Sequence, residues 1–342
     1  MKLSGGMASD LQEAAAAVDR QTSILAAPLA ALIARLHRHQ PRVVVTCARG
    51  SSAHAATFAK HLIEFRLGLP VAAAAPNIAT VYRRALNLKD QFFLAVSQSG
   101  RSDDLIETAA MARAAGAITA AVVNDPNSPL AEASEFVLPL GAGIERSIAA
   151  TKTFVASLAA LLQLTAVWVD DPAMQSAHAR LPNRLRQASQ LDWHEALTAL
   201  GRAESLITIG RGPTLAIARE AALKLKETCE LHGEAFSAAE FRHGPIALVS
   251  NEFPILAFNP CDEAAAGLTA LVGDLRRKGA CVMVAEPGGA QTGRLPVLPS
   301  DHPDADAICM IQSFYALLVK LAAQRGTDVD QPRHLQKVTR TR

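Results

Sequence analysis

The chain has 342 residues, a length suited to two domains of ordinary size, each able to bury its own core. Half of its residues are hydrophobic and 19% are charged, which excludes a disordered chain. The formal net charge of +2, with Lys and Arg scattered except in the tail from Arg333 to Arg342, leaves no electrostatic footprint for nucleic acid, and no nucleic-acid partner is expected.

Cys47, Cys229, Cys261, Cys281 and Cys309 form no CxxC pair and are odd in number. They read as buried, reduced thiols of a cytoplasmic protein, and no spacing joins them to the histidines as metal ligands. Residues 1–20 turn acidic before any apolar run, unlike a signal peptide. The apolar stretch 154–169 falls short of the ~18 residues of a membrane span, so it predicts a helix buried on most sides, and no membrane contact is expected.

Residues 8–38 carry apolar positions at helical spacing, with Asp10 available as a cap and Pro28 placed to break or kink the run. They form an N-terminal helical arm, residues 1–38. The run VVVTC (43–47) has the continuous β-branched character of a strand covered on both faces of a parallel sheet. After it come ARGSS and a helix to about Arg66. A strand FFLAVSQ (92–98) ends in SQSGRSDD and passes into another helix; the strands AITAAVVN (117–124) and FVLPL (136–140) follow, then the apolar helix after Thr151. Strands alternating with helices at this spacing predict a three-layer αβα unit with a mainly parallel sheet, residues 39–170. Residues 171–200 are polar and helical and read as a connector.

The pattern then starts again. SLITIGRGPTLAIAREAALKLKE (205–227) echoes VVVTCARGSSAHAATFAKHLIE (43–64), with Arg211 and Gly212 standing 162 residues after Arg49 and Gly50 (211 − 49). Leu256 and Ala257 answer Leu94 and Ala95 at the same step, RRKGACVMVAE answers ARAAGAITAAVVN, and PVLPS (296–300) answers FVLPL. The expected fold is therefore α/β, a tandem of two such units, with the second at 201–325 and a C-terminal tail at 326–342.

The copies differ where chemistry would show. In the first, the strand ends in Ser97, Gln98, Ser99, Gly100, Arg101 and Ser102; in the second, the matching turn is Asn259, Pro260, Cys261 and Asp262. A strand running through Ser-Gln-Ser-Gly into a helix N-terminus presents backbone N–H groups and hydroxyls to one point, which suits a phosphate. Ser51 and Ser52, after the neighbouring strand, would supply the other wall, because ligands of open parallel sheets sit at the carboxyl ends of strands. Neither GxxxxGK[ST] nor GxGxxG occurs, so a hydroxyl-rich cup fits a phosphorylated sugar better than a nucleotide. In KLKETCELHGEAFSAAEFRHGP (224–245), Lys224 and Glu227 stand three apart on one helix face, and His243 follows. A carboxylate, an ammonium and an imidazole suffice to move a proton next to a carbonyl, and that chemistry requires no metal or cofactor.

Over nearly its whole length the chain resembles the double sugar-isomerase (SIS) family, and within it the isomerase branch of glucosamine-6-phosphate synthase. The resemblance rests on SQSGRSDDL, AATKTF (149–154), ALKLKETCELHGEAFSAAEFRHGPIALV (222–249) and GTDVDQPRHLQKVT (326–339). It implies that Ser51, Ser52, Ser97, Gln98, Ser99 and Ser102 hold a sugar phosphate, that Glu227 is the base between C1 and C2, and that Lys224 stabilises the enolate-like intermediate. It further implies that His243 reaches over from a partner subunit of a homodimer to assist ring opening, and that Lys337 contacts the open-chain keto sugar. The departures are Arg146-Ser147 for a small apolar pair, Ala150 for a hydroxyl and His334 for an asparagine. The synthase also carries a glutaminase domain with an N-terminal cysteine nucleophile, whereas this chain begins Met1-Lys2. The reaction expected is thus deamination, glucosamine 6-phosphate and water giving fructose 6-phosphate and ammonia. A fructosamine-6-phosphate deglycase, needing room near Ala150 and Gln336, an aldose-ketose isomerase and a non-catalytic phosphosugar sensor are the alternatives.

Overall fold

The computed structural model describes residues 6–288 and 291–337. The chain runs α1 (Gly6–His39), β1 (Val44–Ala48), α2 (Gly50–Leu67), β2 (Val71–Ala73), α3 (Asn77–Thr80), β3 (Phe92–Ser97), α4 (Asp103–Ala114), β4 (Ile118–Val123), α5 (Pro129–Ala133), β5 (Phe136–Pro139), α6 (Lys152–Trp168) and α7 (Pro172–Ala188). It continues through α8 (His194–Leu200), β6 (Ser205–Gly210), α9 (Thr214–Cys229), β7 (His232–Ser237), two 3-10 turns (Glu240–Arg242 and Pro245–Leu248), β8 (Pro254–Phe258), α10 (Ala265–Arg277), β9 (Cys281–Ala285), β10 (Arg294–Leu295) and α11 (Pro303–Arg325). Two compact units result. The N-terminal unit holds residues 16–144 and 152–179 together with Gln336 and Lys337; the C-terminal unit holds residues 180–335, α1 up to Ala15, and the segment 145–151.

In the N-terminal unit five parallel strands lie in the order β2-β1-β3-β4-β5. Every residue of β3 and β4 is buried, as covering on both faces requires. Alternation sorts the two faces. Val45, Cys47, Phe93, Ala95, Ala121 and Val123 pack with Leu105, Ala109 and Ala112 of α4 and with Leu130 of α5. The intervening residues point the other way, where Phe92 meets Trp168 of α6 edge-on at 5.6 Å.

The C-terminal unit repeats this plan, β10-β9-β8-β6-β7, again wholly parallel, so the strand order of the first sheet is reproduced element for element. Ile207, Ile209, Ile255, Ala257, Val282 and Val284 pack with Leu268, Leu271, Val272 and Leu275 of α10. On the opposite face Phe258 meets Phe314 of α11 at 6.2 Å. Helix α11 is long and apolar enough by composition to cross a membrane, but 89% of its most apolar window is buried inside the protein, and it serves as the core helix of this unit.

Four local expectations need correction. Helix α1 runs unbroken through Pro28, because Leu25, Leu29 and Leu32 are buried around it and their packing outweighs the ~3 kcal/mol cost of an interior proline. Asp10 is not a cap but lies fully buried within that helix. PVLPS forms no strand; β10 ends at Leu295, and Pro296 and Pro299 have no N–H to give a ladder. Two edge strands, β2 and β7, were not anticipated: the first has only three residues and the second lacks an apolar alternation.

Candidate active site

In the N-terminal unit β1 and β3 are parallel neighbours, with Ala48 opposite Val96, so the segments leaving their carboxyl ends emerge side by side. Ser51 and Ser52 lie half-buried in the first turn of α2, where helix geometry turns N–H groups outward. The second segment is the turn from Ser97 to Ser102, with Ser97 buried and Gln98, Ser99 and Ser102 half-buried. Internal hydrogen bonds set its shape. Gly100 N–H donates to Ser97 Oγ (3.1 Å), Arg101 N–H to Ser99 Oγ (3.2 Å), and Asn124 N–H to the Gln98 carbonyl (3.2 Å). Gly100 takes φ +63°, and a Cβ there would fall 2.1 Å from Ser128 Oγ, so only glycine fits. Ser102 then serves as the N-cap residue of α4 in an extended conformation.

An ion pair ties the two segments together. Arg49, which precedes α2, places Nε and Nη2 each 2.8 Å from Oδ2 of buried Asp104 in the first turn of α4. Burial, and then the Asp104 carboxylate, push the Cys47 thiol up to about 12, so it stays protonated and is no nucleophile beside this turn. The structure thus brings Ser51, Ser52 and the Ser97–Ser102 turn to one end of one sheet. Lys337, half-buried, and Gln336, exposed, cluster with this same unit.

The acid-base residues belong to the C-terminal unit. Helix α9 carries Lys224 and Glu227, and the Lys224 ammonium is in direct hydrogen-bond contact with Glu227 Oε2. Lys224 is fully buried, and the Glu227 side chain retains 20% of its exposure. A third member was missed in the sequence. Glu220, also fully buried, sits 3.4 Å from Lys224 Nζ through Oε1, and the Tyr315 hydroxyl of α11 donates to that same oxygen at 3.1 Å. Burial by itself would lower the Lys224 ammonium, but the attraction of Glu220 and then Glu227, with hydrogen bonds to both, holds it above its ordinary lysine value. The i, i+4 spacing of Glu220 and Lys224 was the available signal. His243 is exposed at the end of the first 3-10 turn, with its backbone N–H bonded to the Glu240 carbonyl (2.9 Å).

The tail motif is ordered by its acids. Asp330 accepts from Gly6 N–H and Met7 N–H, both at 2.7 Å, and so caps α1, while Asp328 Oδ1 accepts from Asp330 N–H at 2.9 Å. Val338 and the residues after it lie outside the described residues, as do Met1 and Lys2. The departure Arg146-Ser147 has a structural reason. Asp10 Oδ2 accepts from Arg146 N–H (2.8 Å), Ser147 N–H (3.0 Å) and Ser147 Oγ (3.1 Å), which docks the segment 145–151 on the start of α1. Among the described residues no group of three or more His, Cys, Asp or Glu is arranged to hold a metal ion.

A family model for the SIS domain matches residues 38–167 and 199–291. The chain belongs to the SIS-domain family. Its two matched stretches fall on the two parallel sheets, one SIS unit on each. The glutamine-fructose-6-phosphate aminotransferase (isomerizing) of Symbiobacterium thermophilum is 35% identical over 315 residues, covering 86% of this chain and 51% of its own length. The chain therefore spans about half the length of the aminotransferase relatives it matches. A Silicibacter pomeroyi protein provisionally described as a phosphosugar isomerase is 42% identical, with a TM-score of 0.90 over 95% of this chain and 99% of that one. The C-terminal domain of the glucosamine-fructose-6-phosphate aminotransferase of Francisella tularensis shares the fold, with a TM-score of 0.78 at 24% identity over 97% of this chain and 99% of that domain.

Proposed function

We propose that this double SIS protein is a phosphosugar isomerase that acts on an amino sugar, converting glucosamine 6-phosphate and water to fructose 6-phosphate and ammonia. The observation that carries the reading is the Lys224–Glu227 pair: a carboxylate still reachable by solvent, held against an ammonium that two acids keep charged in spite of its burial. In the proposed cycle Ser51, Ser52, Ser97, Gln98, Ser99 and Ser102 hold the phosphate. His243 of a partner subunit in a homodimer assists ring opening, and Lys337 contacts the open chain, with Gln336 beside it. Glu227 takes the proton from C2 and returns it to C1, Lys224 stabilises the charge developing on the sugar oxygen, and the resulting C2 imine adds water and loses ammonia. The likeness to relatives named for transferring an amino group to fructose 6-phosphate supports an amino group at C2.

The test is to incubate the purified protein with glucosamine 6-phosphate and follow ammonia and fructose 6-phosphate. Glu227→Gln is expected to bind the sugar phosphate and lose most of kcat; equal loss of binding would argue against its role as base. Turnover of a fructosamine 6-phosphate in place of glucosamine 6-phosphate would reassign the protein as a deglycase, and interconversion of fructose and glucose 6-phosphates alone would make it an aldose-ketose isomerase. Binding without turnover of any of them would leave a phosphosugar sensor.

A further inference from the structure

The Lys224 ammonium has two carboxylates to choose between. Glu220 is fully buried and Glu227 is partly open, so in a low-dielectric interior the deeper carboxylate has the greater need of a counter-charge. Yet the ammonium is in direct contact with Glu227 and 3.4 Å from Glu220. The Tyr315 hydroxyl helps to meet the need of Glu220, donating at 3.1 Å to the same oxygen, Oε1, that faces the lysine. Burial, and then the Glu220 charge, hold this phenol well above its ordinary value, so it is a donor at neutral pH. Tyr315 reaches the pair from α11, which packs against α9 and is buried along most of its length.

We infer that Tyr315 is a positioning residue for the proton transfer: its hydroxyl satisfies the Glu220 carboxylate and so leaves the Lys224 ammonium on Glu227, where the sugar is converted. The inference rests on the reading of Glu227 as the base and adds a residue that touches neither substrate nor proton. Without the hydroxyl, Glu220 would draw the ammonium back and Glu227 would lose its partner.

The experiment measures exchange of the C1 hydrogen of fructose 6-phosphate with D2O by NMR at saturating sugar, together with the Kd of fructose 6-phosphate and a thermal melt. The proteins are wild type, Tyr315→Phe, Glu220→Gln, the double variant and Glu227→Gln. Tyr315→Phe is expected to slow exchange about tenfold, the factor equivalent to one hydrogen bond to a charged group, with Kd unchanged. In the Glu220→Gln background the same substitution is expected to change nothing, since no second carboxylate remains to attract the lysine. A purely structural tyrosine would lower the melting temperature and leave the exchange rate of the folded protein alone. Wild-type exchange in Tyr315→Phe, or equal slowing in both backgrounds, would overturn the inference while loss of exchange in Glu227→Gln kept the reading intact. Undiminished exchange in Glu227→Gln, or none in the wild type, would overturn both.

Discussion

Replacing Lys224 by methionine removes the charge from the centre of the acid-base cluster while keeping an unbranched chain in its space. At 3.4 Å the attraction between Lys224 and Glu220 is roughly 5 kcal/mol at an effective dielectric constant of ~20, before desolvation is subtracted. The measurable quantity is smaller. Removing one partner of a buried pair costs about 3–5 kcal/mol, and Glu220, which loses the Lys224 charge, has no exposure with which to recover hydration. For a unit of this size that corresponds to a fall in Tm of roughly 6–20 °C. The sign with pH follows from the direction of the Lys224 shift. Its folded-state value is raised, so the stability it contributes is fully present below the ordinary lysine range and is lost only as pH rises through the higher folded value. Wild-type stability from this group is therefore flat through neutrality. Thermal and urea melts of Lys224→Met, Glu220→Gln and the double variant provide the check. The double variant is expected to recover much of the loss, since the carboxylate left without its ammonium is then Glu227, whose side chain keeps 20% of its exposure. A single variant within about 1 kcal/mol of wild type, or a double variant as unstable as the two losses added, would refute the picture of a lysine held between two acids.

His178 of α7 is buried with Nε2 unbonded, and burial lowers its imidazole from 6.5 to about 4. The unfolded chain takes up the proton first, so stability is lost as pH falls from 6.5 towards 4, by roughly 3 kcal/mol in total; His178→Leu should abolish that slope in urea melts across the range, and an unchanged slope would disprove it. Gly100→Ala, placed at positive φ with its new Cβ 2.1 Å from Ser128 Oγ, should cost at least about 1–3 kcal/mol and weaken binding of fructose 6-phosphate by calorimetry; wild-type affinity would remove the turn from the site. Mixing Glu227→Gln with His243→Ala protein should restore part of the turnover that neither has alone, and the absence of rescue would count against a site shared between two copies.

The central strands were legible because each is a short apolar run bounded by turn residues: β1, β3 and β4 with their counterparts β6, β8 and β9. The edge strands β2, β7 and β10 were not, because β2 and β10 are only three and two residues long and are held mainly by their neighbours' ladders and β7 lacks an apolar alternation; the fourth edge, β5, was legible in FVLPL. The same distinction runs through the site. The serines of the Ser97–Ser102 turn and the Lys224–Glu227 pair are local in sequence and announce themselves. The groups that hold them in place are remote: Arg49 lies 55 residues from Asp104, Glu220 lies 95 from Tyr315, and Gly6 lies 324 from Asp330. No periodicity of the chain connects such partners, and only the folded sheet order makes them neighbours.

The duplication also bears on how many phosphates one chain can hold. Asn259 stands where the repeat would place Ser97, 162 residues on (259 − 97), and both are buried at the carboxyl end of a central strand. In the first copy the turn after that strand bonds to its own backbone through hydroxyls. In the second, Asn259 Nδ2 donates to Glu286 Oε2 (2.9 Å) and to Thr269 Oγ1 (3.0 Å), and Asp262 Oδ1 accepts from Ala264 N–H (2.9 Å) at the approach to α10. Two carboxylates therefore occupy the end of the second sheet where an anion would have to enter, and a phosphate there would face repulsion as well as the loss of those bonds. Calorimetric titration with fructose 6-phosphate is thus expected to give one site per chain, and Ser97→Ala with Ser99→Ala should weaken that site without uncovering another. Two sites per chain, or binding that survives loss of both serines, would place the anion elsewhere.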